Sequence, residues 1–439
     1  MKSNAIYTER RQALAAQLAD NSVVWVASGA EKIRNRDVEY AFRPASDFYY
    51  LTGFSEPDAV LMLKKQLGKL TTGLFLRPKD SEKEVWQGRR LGVEFAPQQL
   101  NIDQAWEISE LVDTGFSLLT DVKTVYVSFS ELPDWMETLS EWVVLHKANS
   151  RKGDESIQAI ADLDPVLHEM RLIKSEAEIA ILRQAARVSV QGHLSAMKSV
   201  ASEKFEYQVQ ADMENTFKQR GAPRVAFNTI VAGGDNACVL HYTENTAKIH
   251  NGDLVLVDAG AEFGGYAGDI TSTFPANGQF TRYQAALYEL VLATQKAVIQ
   301  QIQPGILFEE LQKIAVENLT QGLIDLGILS GKRSVLIEDE AYKPFYMHGV
   351  SHWLGMDVHD VGAYKKAGQS RPLQAGMVLT VEPGLYLPKS ASEVAEVYRG
   401  IGIRIEEDVL VTDSGCEVLT AGLPRTVAEI ERWMMANRH

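Results

Sequence analysis

The sequence predicts an α+β protein in which a mixed α/β N-terminal domain, residues 1–172, precedes a larger second domain, residues 173–439. Three observations support this prediction. A chain of 439 residues is longer than one hydrophobic core usually organises, so two domains are expected. A strong helix-start signal lies near residue 175. Beyond residue 225 the pattern changes to alternating strands with glycine-rich turns.

In the first domain, short β-branched runs alternate with helical patterns. Val23–Ala27, Val60–Leu63 and Val122–Ser128 are typical of strands. Apolar residues at helical spacing predict helices over Thr8–Leu18 and Trp135–Leu145. We find no catalytic motif in this part of the chain.

The boundary between the domains has its own signals. Arg151–Asp154 has the composition of a surface linker. Ser175 followed three residues later by Glu178 is the signature of a capping box, and apolar residues then recur at helical spacing. A long amphipathic helix is therefore expected to open the second domain, with later helices over 281–301 and 308–326.

Charge, apolar stretches and cysteine content argue against several classes of protein. A net charge of −14 disfavours nucleic acid and anionic membrane surfaces as partners, because both attract basic proteins. The N-terminal segment lacks the apolar centre of a signal peptide, and no stretch approaches ~18 uninterrupted apolar residues, so no membrane span is expected. Two cysteines, Cys238 and Cys416, form neither a disulfide framework nor a zinc-ligand spacing. These features predict a cytoplasmic protein.

Five side chains of metal-binding type lie at the end of, or inside, strand-like runs of the second domain: Asp258, Asp269, His352, Glu382 and Glu406. Burying four carboxylates together without cations would be very unfavourable, because like charges repel and lose hydration. Two divalent cations would roughly cancel the four negative charges. A site of this kind usually makes hydroxide from water and hydrolyses a substrate.

The first two acids fall on one predicted hairpin. If its turn centres between Phe263 and Gly264, Asp258 lies directly opposite Asp269. Cross-strand partners have Cβ atoms ~4.5–5.5 Å apart, so the two carboxylates would share the cation pair. Turn capping is the alternative role of a lone aspartate at a strand end.

A weak internal repeat relates the two acid-bearing regions. Residues 252–260 parallel residues 376–384, and in both an acid follows the first glycine by six positions, just before a turn. A second acid, Asp269 or Glu406, follows on a later strand. Duplication of a carboxylate-bearing hairpin and chance similarity of two strand-turn segments both explain the pattern.

Strand alternation gives Arg404 a place beside the acids. Ile403 and Ile405 alternate with Arg404, Glu406 and Asp408, so Arg404 and Glu406 point to the same side of the strand. If Glu406 binds metal, Arg404 would orient carboxylates with its guanidinium fork; a solvated strand residue is the alternative.

Four of the nine histidines lie near these acids in the sequence: His241, His348, His352 and His359. A neutral imidazole can bind metal, donate to an oxyanion or carry a proton. Three of the four fall within twelve residues broken by glycines, which is not typical of a helix packing its core, although for each one singly a core histidine is the usual explanation. There is no HExxH helix, GxSxG elbow, Walker loop or GxGxxG after a strand.

Several long segments together resemble one known family. HYTEN, GDLVLVDAGAEFGGYAGDITSTFP, MHGVSHWLGMDVHDVG, GMVLTVEPGLY and YRGIGIRIEED are similar to the bacterial Xaa-Pro aminopeptidases, also called aminopeptidase P. ASDFYYLTGF and WQGRRLG of the first domain resemble the same family. The resemblance implies that the second domain has the pita-bread fold shared with prolidase and methionine aminopeptidase.

The resemblance also implies a ligand set. In this pattern Asp258 chelates one metal ion, His352 and Glu382 bind the other, and Asp269 and Glu406 bridge both. A hydroxide bridging the metals attacks the carbonyl before proline, and Glu382 assists proton transfer.

Four further residues are implied to support the reaction. His241 and His359 correspond to residues that contact substrate or stabilise the tetrahedral intermediate, His348 to another pocket histidine, and Arg404 to a support of the ligands.

Cofactor, substrate and assembly follow from the same resemblance. Two divalent ions are expected, with Mn²⁺ as the usual metal, in agreement with an oxygen-rich ligand set. The substrates would be peptides with proline at position two, and Tyr386 and Trp353 are candidates for the walls of the pocket. The N-terminal domain would form a wall of the cleft and make the contacts of a homo-oligomer, a dimer or tetramer.

Two alternatives share much of this pattern. Prolidase, which cleaves Xaa-Pro dipeptides, has the same metal ligands. The residues of the segments HGVSHWLG and YRGIGIRIEED favour aminopeptidase P. A metal-free relative, creatinase-like or peptide-binding, would lack some of the five ligands, and all five are present here.

Overall fold

The computed structural model describes residues 4–149, 153 and 157–437, and of the predicted linker at 151–154 only Gly153 lies within the described residues. The chain divides into two compact units, Met1–Met170 and Arg171–His439. Among the described residues, none of the helices combines the length and the apolar character that crossing a membrane requires.

The first unit is built on a mixed six-stranded sheet. The strands of this unit, inside and outside that sheet, are β1 Ser22–Ala27, β2 Ile33–Asn35, β3 Val38–Glu39, β4 Val60–Gln66, β5 Lys69–Leu76, β6 Gln104–Glu107, β7 Thr124–Val127 and β8 Ala159–Asp162. Its helices are α1 Ala5–Gln17, α2 Ser46–Thr52, α3 Ser81–Gln87, α4 Ala96–Leu100, α5 Leu111–Leu118, α6 Leu132–Asn149 and α7 Asp164–Leu172, which crosses the boundary between the units.

The sheet runs in the order β6-β5-β4-β1-β7-β8, while β2 and β3 form a separate small ribbon. β4 is antiparallel to both β1 and β5, and β7 is parallel to both β1 and β8. β1 is almost entirely buried because β-branched and aromatic residues occupy both of its faces. Trp25 of this strand packs against Phe75 and Trp142 in the core of the unit.

The second unit combines long helices with short antiparallel sheets. Its helices are α8 Glu176–Ser199, α9 Glu206–Gln219, α10 Arg282–Ile299, α11 Phe308–Asp325, α12 Arg333–Glu338 and α13 Val427–Asn437. Its strands are β9 Arg224–Val225, β10 Ile230–Gly233, β11 Leu254–Asp258, β12 Ala261–Phe263, β13 Tyr266–Ala267, β14 Thr271–Pro275, β15 Lys365–Lys366, β16 Gln369–Ser370, β17 Val378–Val381, β18 Gly384–Leu387, β19 Ile401–Arg404, β20 Glu407–Val411 and β21 Cys416–Val418.

The helix predicted near residue 175 is α8. The Glu178 carboxylate accepts the backbone N–H of Ser175 at 3.0 Å and its hydroxyl at 2.7 Å, which fixes the first turn. The helices predicted over 281–301 and 308–326 are α10 and α11. The helix α10 is shorter than the prediction by one residue at its start and two at its end, and α11 is shorter by one residue at its end.

The first carboxylate hairpin differs from the predicted register. Its turn consists of Gly264 and Gly265, with φ of 62° and 86°, a pair of left-handed residues suited to a two-residue type I′ turn. Asp258 is therefore opposite Thr271 rather than Asp269, and the predicted pairing was wrong. Asp269 lies on the diagonal instead, a position where Cβ atoms are typically ~7–8 Å apart or somewhat less.

The second hairpin is interrupted where its acids lie. β17 pairs with β20, and β18 pairs with β19, so each side of the hairpin is broken into two strand pieces. Glu382 lies in the break between β17 and β18, and Glu406 lies in the break between β19 and β20. Because the backbone at Glu382 and Glu406 is not paired within a regular strand, both side chains can be directed toward the same cavity.

Candidate metal centre and substrate cavity

A cavity of about 810 Å³ in the second unit brings together the residues predicted to bind metal or to support the reaction. All nine of them line it: His241, Asp258, Asp269, His348, His352, His359, Glu382, Arg404 and Glu406. The acids come from the two hairpins, and the histidines come from the connecting segments.

Asp258 is held at the end of the fully buried strand β11. Arg404 donates from Nη2 to its Oδ2 at 2.5 Å and from Nε to the hydroxyl of Thr271 at 3.1 Å. The other oxygen, Oδ1, is buried and has no hydrogen-bond partner among the described residues. A buried carboxylate oxygen without a donor is costly, and a cation would supply the missing interaction.

His352 lies on a segment that is hydrogen-bonded alongside β17. The backbone N–H of Thr380 donates to the carbonyl of His352 at 2.9 Å, and Leu354 donates to the carbonyl of Val378 at 3.0 Å. His352 Nδ1 lies 3.0 Å from the carbonyl of Trp353, so Nδ1 carries the proton and the lone pair is on Nε2. This tautomer is the one that a metal ligand needs, fixed by a backbone carbonyl.

The imidazole points into the acids. His352 Nε2 lies 3.4 Å from Asp269 Oδ2 and 3.4 Å from Glu382 Oε1. Ligand atoms of Asp269, His352 and Glu406 all lie within 4.8 Å of one another. Two oxygens and one nitrogen at this spacing can surround a single divalent ion.

Burial makes the acids hard to ionise without a cation. It raises the pKa of Glu382 to about 7, and it raises the pKa of Asp269 and of Glu406 well above their usual range, with the neighbouring carboxylates adding to the effect. Metal binding displaces such protons, and the hard oxygen donors suit divalent cations. The residues present therefore fit a metal centre.

Glu406 ties the two hairpins together. Its backbone N–H donates to the carbonyl of Thr271 at 3.1 Å, and the hydroxyl of Thr271 donates to its Oε2 at 2.6 Å. Only one carboxylate oxygen of Glu406 is thereby engaged. Thr271, which the sequence did not single out, orients this acid.

His348 and His359 line the same cavity as the acids. His348 Nδ1 donates to the carbonyl of Gly349 at 2.8 Å, and Nε2 accepts the hydroxyl of Tyr386 at 2.8 Å. Burial lowers the pKa of His348 to about 4, so it is neutral. The ring of His359 lies 4.3 Å from that of His352, and partial burial also lowers the pKa of His359.

His241 is exposed on a loop that a single buried carboxylate organises. Glu206 accepts the backbone N–H groups of Gly233 and Ala247, at 2.8 and 2.9 Å, at the two ends of the loop. It also accepts the hydroxyl of Tyr242 at 2.8 Å, next to His241. These hydrogen bonds satisfy the buried carboxylate of Glu206 and fix the loop.

Tyr386 and Trp353 do not line the cavity, and their assignment as pocket walls was wrong. Both are fully buried. Tyr386 accepts a hydrogen bond from Arg404 at 3.0 Å and donates to His348, and Trp353 stacks on Tyr364. Burying these large rings in the core stabilises the fold more than exposing them in a pocket wall would, which is why both side chains are found there.

Two buried aspartates, Asp360 in the cavity lining and Asp408 outside it, were not assigned from the sequence. Asp408 accepts the backbone N–H of Asp269 at 3.2 Å, and the strand alternation that placed Arg404 and Glu406 on one side also included it. Asp360 adjoins His359 and pairs with Arg171 and Lys174 at 2.7 and 2.9 Å. No sequence pattern links residues so far apart.

Comparison with known proteins places the chain in a family. The sequence model of Metallopeptidase family M24 matches residues 180–413, and that of the Aminopeptidase P N-terminal domain matches residues 7–126. The Xaa-Pro aminopeptidase of Haemophilus influenzae is 46% identical over 429 residues, covering 98% of this chain and 96% of the relative.

Solved structures agree. The aminopeptidase PepP of Pseudomonas aeruginosa is 45% identical, with a TM-score of 0.96 and coverage of 99% of this chain and 98% of that one. A zinc-substituted Escherichia coli aminopeptidase P in complex with product is 43% identical, with a TM-score of 0.96 and coverage of 100% and 99%. These matches confirm the predicted fold class, including the pita-bread second domain. The chain belongs to the Xaa-Pro aminopeptidase family of the M24 metallopeptidases.

Proposed function

We propose that this protein is a dinuclear metal-dependent exopeptidase that releases the first residue from peptides with proline at position two. The observation that carries the proposal is the convergence of four carboxylates and His352 at one cavity, three of whose ligand atoms lie within 4.8 Å of one another. The Xaa-Pro aminopeptidase of Haemophilus influenzae, nearly half identical over almost the whole chain, supports the choice of substrate.

The ligand roles form part of the proposal. Asp258 would hold one ion, His352 and Glu382 the other, and Asp269 and Glu406 both. When bound, a pair of divalent ions supplies a water activated as a nucleophile at neutral pH and stabilises negative charge on the attacked carbonyl oxygen. Mn²⁺ is the metal we propose, since carboxylate-rich sites suit it better than soft-ligand metals.

The protein's own groups would then orient the peptide and move protons. Glu382 lines the cavity, with its Oε2 3.8 Å from His348 Nδ1, and would accept a proton from the attacking water and pass it to the leaving amine. His241 and His359 face the same cavity and would donate to the peptide carbonyl.

The cavity also has an apolar part. Phe227, Leu240 and Val358 line it beside the histidines. A proline amide has no N–H and a fixed φ, so a site that binds peptides as an added strand rejects it, whereas an apolar surface can hold the ring. This division of the cavity supports specificity for proline.

The test is a paired assay on an Xaa-Pro dipeptide and an Xaa-Pro-Xaa tripeptide, with and without Mn²⁺. We expect manganese-dependent release of the first residue from the tripeptide, while a matched Xaa-Ala-Xaa peptide stays intact. Cleavage of the dipeptide alone would assign the protein as a dipeptidase. Cleavage of neither peptide would favour a binding role.

A homo-oligomer, dimer or tetramer, is part of the proposal, with contacts made by the N-terminal domain. Large apolar side chains are exposed in that unit, among them Trp86 at 87%, Val85 at 79% and Ile33 at 68%. Exposed apolar groups of this size favour association. A monomeric mass in light scattering would contradict it. Two free cysteines support a reducing cytoplasm as the compartment.

A further inference from the structure

Arg425 lies behind the proposed metal centre, outside the cavity lining. It lies between β21 and α13, beyond residues 180–413 that match the M24 sequence model. Its side chain is only 12% exposed. A guanidinium so well shielded from water needs partners for most of its donors.

The partners of Arg425 include the backbones of both hairpins. Nη1 donates to the carbonyl of Thr271 at 2.9 Å, and Nη2 donates to the carbonyl of Glu406 at 2.6 Å. Nε donates to Glu407 Oε1 at 2.6 Å, which balances the charge. The other oxygen of Glu407 is bonded by the hydroxyl of Thr420.

The two carbonyls mark the point where the hairpins meet. Thr271 follows Asp269 by two residues on the first hairpin, and Glu406 is itself a proposed ligand on the second. The same two residues are joined by the backbone bond and the hydroxyl bond already described. A displacement of either carbonyl would therefore move a ligand of the metal centre.

Electrostatic repulsion explains why a group that joins the two hairpins would be useful. Two hairpins that each carry two carboxylates repel one another until cations bind. The planar guanidinium holds two carbonyls at a fixed separation with a positive charge between them, which a single ammonium nitrogen cannot reproduce.

We propose that Arg425 is a positioning residue for the metal centre: by bridging the carbonyls of Thr271 and Glu406 it sets the spacing of the two hairpins and so raises the affinity for the metal pair. This inference rests on the proposed function, since it concerns the affinity of the proposed metal ions.

The test measures metal binding directly. Metal-free full-length protein is titrated with Mn²⁺ in a calorimeter, for the parent chain, Arg425→Met and Arg183→Met. Arg425→Met is expected to bind Mn²⁺ about 10–100-fold more weakly, the usual loss when a group behind a metal ligand is removed. Arg183 forms a half-exposed ion pair with Glu417 on the same unit, so Arg183→Met is expected to keep the parent affinity. Parent affinity in folded Arg425→Met overturns the proposal.

A second variant covers the case in which Arg425→Met does not fold. Arg425→Lys keeps the positive charge beside Glu407. Its single ammonium nitrogen cannot reach all three acceptors, Glu407 and the carbonyls of Thr271 and Glu406, to which the guanidinium donates through three nitrogens. We expect it to melt near the parent temperature without metal and to bind Mn²⁺ at least several-fold more weakly. Parent affinity in Arg425→Lys would show that the bridge is not needed. The two possible failures are distinguishable. If the parent chain binds no Mn²⁺, the proposed function fails. If the parent binds Mn²⁺ and the variant binds it equally well, only the role of Arg425 fails.

Discussion

At the scale of single residues, Asp269 and Glu406 are both held in place by hydrogen bonds from neighbouring groups. Asp269 is fixed through its backbone by Asp408, and Glu406 is fixed through both its backbone and its side chain by Thr271. Each is left with carboxylate oxygens directed at the centre of the cluster. This fixed arrangement is what a ligand shared by two ions requires.

Replacing either acid by its amide should therefore stop catalysis. Asp269→Asn or Glu406→Gln keeps the shape but cannot offer two anionic oxygens, so we expect kcat to fall by at least about 100-fold at saturating Mn²⁺, the upper end of losses for groups that only support a ligand. The control is Asp413→Asn, an exposed aspartate of the same unit. Retained turnover in either amide variant would contradict a shared pair of ions.

Glu131 of the first unit gives a prediction about pH. Burial, with a contribution from nearby Asp47, Asp164 and Asp134, raises its pKa from 4.5 to about 7. Folding therefore takes up a proton in that window, so the stability contributed by this group is present at low pH and is lost as pH rises toward 7.

Glu131→Gln removes this loss. We expect the variant to melt above the parent at about pH 8.5, and the two proteins to melt together near pH 4.5, when both are kept saturated with Mn²⁺. Thermal melting at the two pH values measures the difference, and Glu137→Gln, an exposed change on α6, is the matched control. A difference that grows toward low pH would have the wrong sign.

At the scale of elements, the first hairpin is limited by how closely its strands approach. A Cβ placed on Gly260 would lie 1.5 Å from the carbonyl oxygen of Gly268, next to Asp269. The strands could accept it only by separating, which would displace Asp258 and Asp269 from one another.

Gly260→Ala should therefore lower both stability and metal binding. We expect a loss of about 3 kcal/mol or more in the free energy of unfolding, the upper range for overpacked sites, together with weaker binding of Mn²⁺. Denaturant unfolding and calorimetry measure the two effects. Gly415→Ala, with no atom within 4 Å of the added carbon, should change neither. A stable Gly260→Ala that binds Mn²⁺ normally would mean that the backbone relaxes without moving the acids.

The hairpins also mark the limit of what sequence alone could predict. All nine predicted site residues line one cavity. The acids were recognisable because metal-binding side chains at strand ends are a local signal, and the family resemblance implied the roles of the other residues. The register of Asp258 was missed because it depends on which two residues form the turn, and Gly264 and Gly265 form it instead of Phe263 and Gly264. Arg425 could not be found, since its partner Thr271 is 154 residues away and no local pattern records that contact.

At the scale of the whole molecule, the metal centre is expected to stabilise the second unit. Chelation would leave the four acids facing one another with no cations. An ion present at 100 times its dissociation constant contributes about 2.7 kcal/mol, which for a unit of this size corresponds to a fall of about 5–10 °C in melting temperature when it is removed.

Calorimetric melting before and after chelation tests this expectation. The transition of the second unit should shift and should recover when Mn²⁺ is added back, while the transition of the first unit serves as the internal control. An unchanged melting temperature after complete metal removal would argue against a buried cluster of ionised acids.

The position of Glu406 and Arg425 in the chain bears on how the protein is made. Asp258 and Asp269 leave the ribosome long before the strand that completes their site, and Arg425, which joins Thr271 to Glu406, follows later still. Domains fold from the N-terminus onward during translation, so the first unit can form while the metal-binding acids are still incomplete. We therefore expect the proposed metal centre to be completed only after Arg425 has been synthesised, and a chain truncated shortly before residue 425 would carry every proposed ligand but lack the bridge between Thr271 and Glu406.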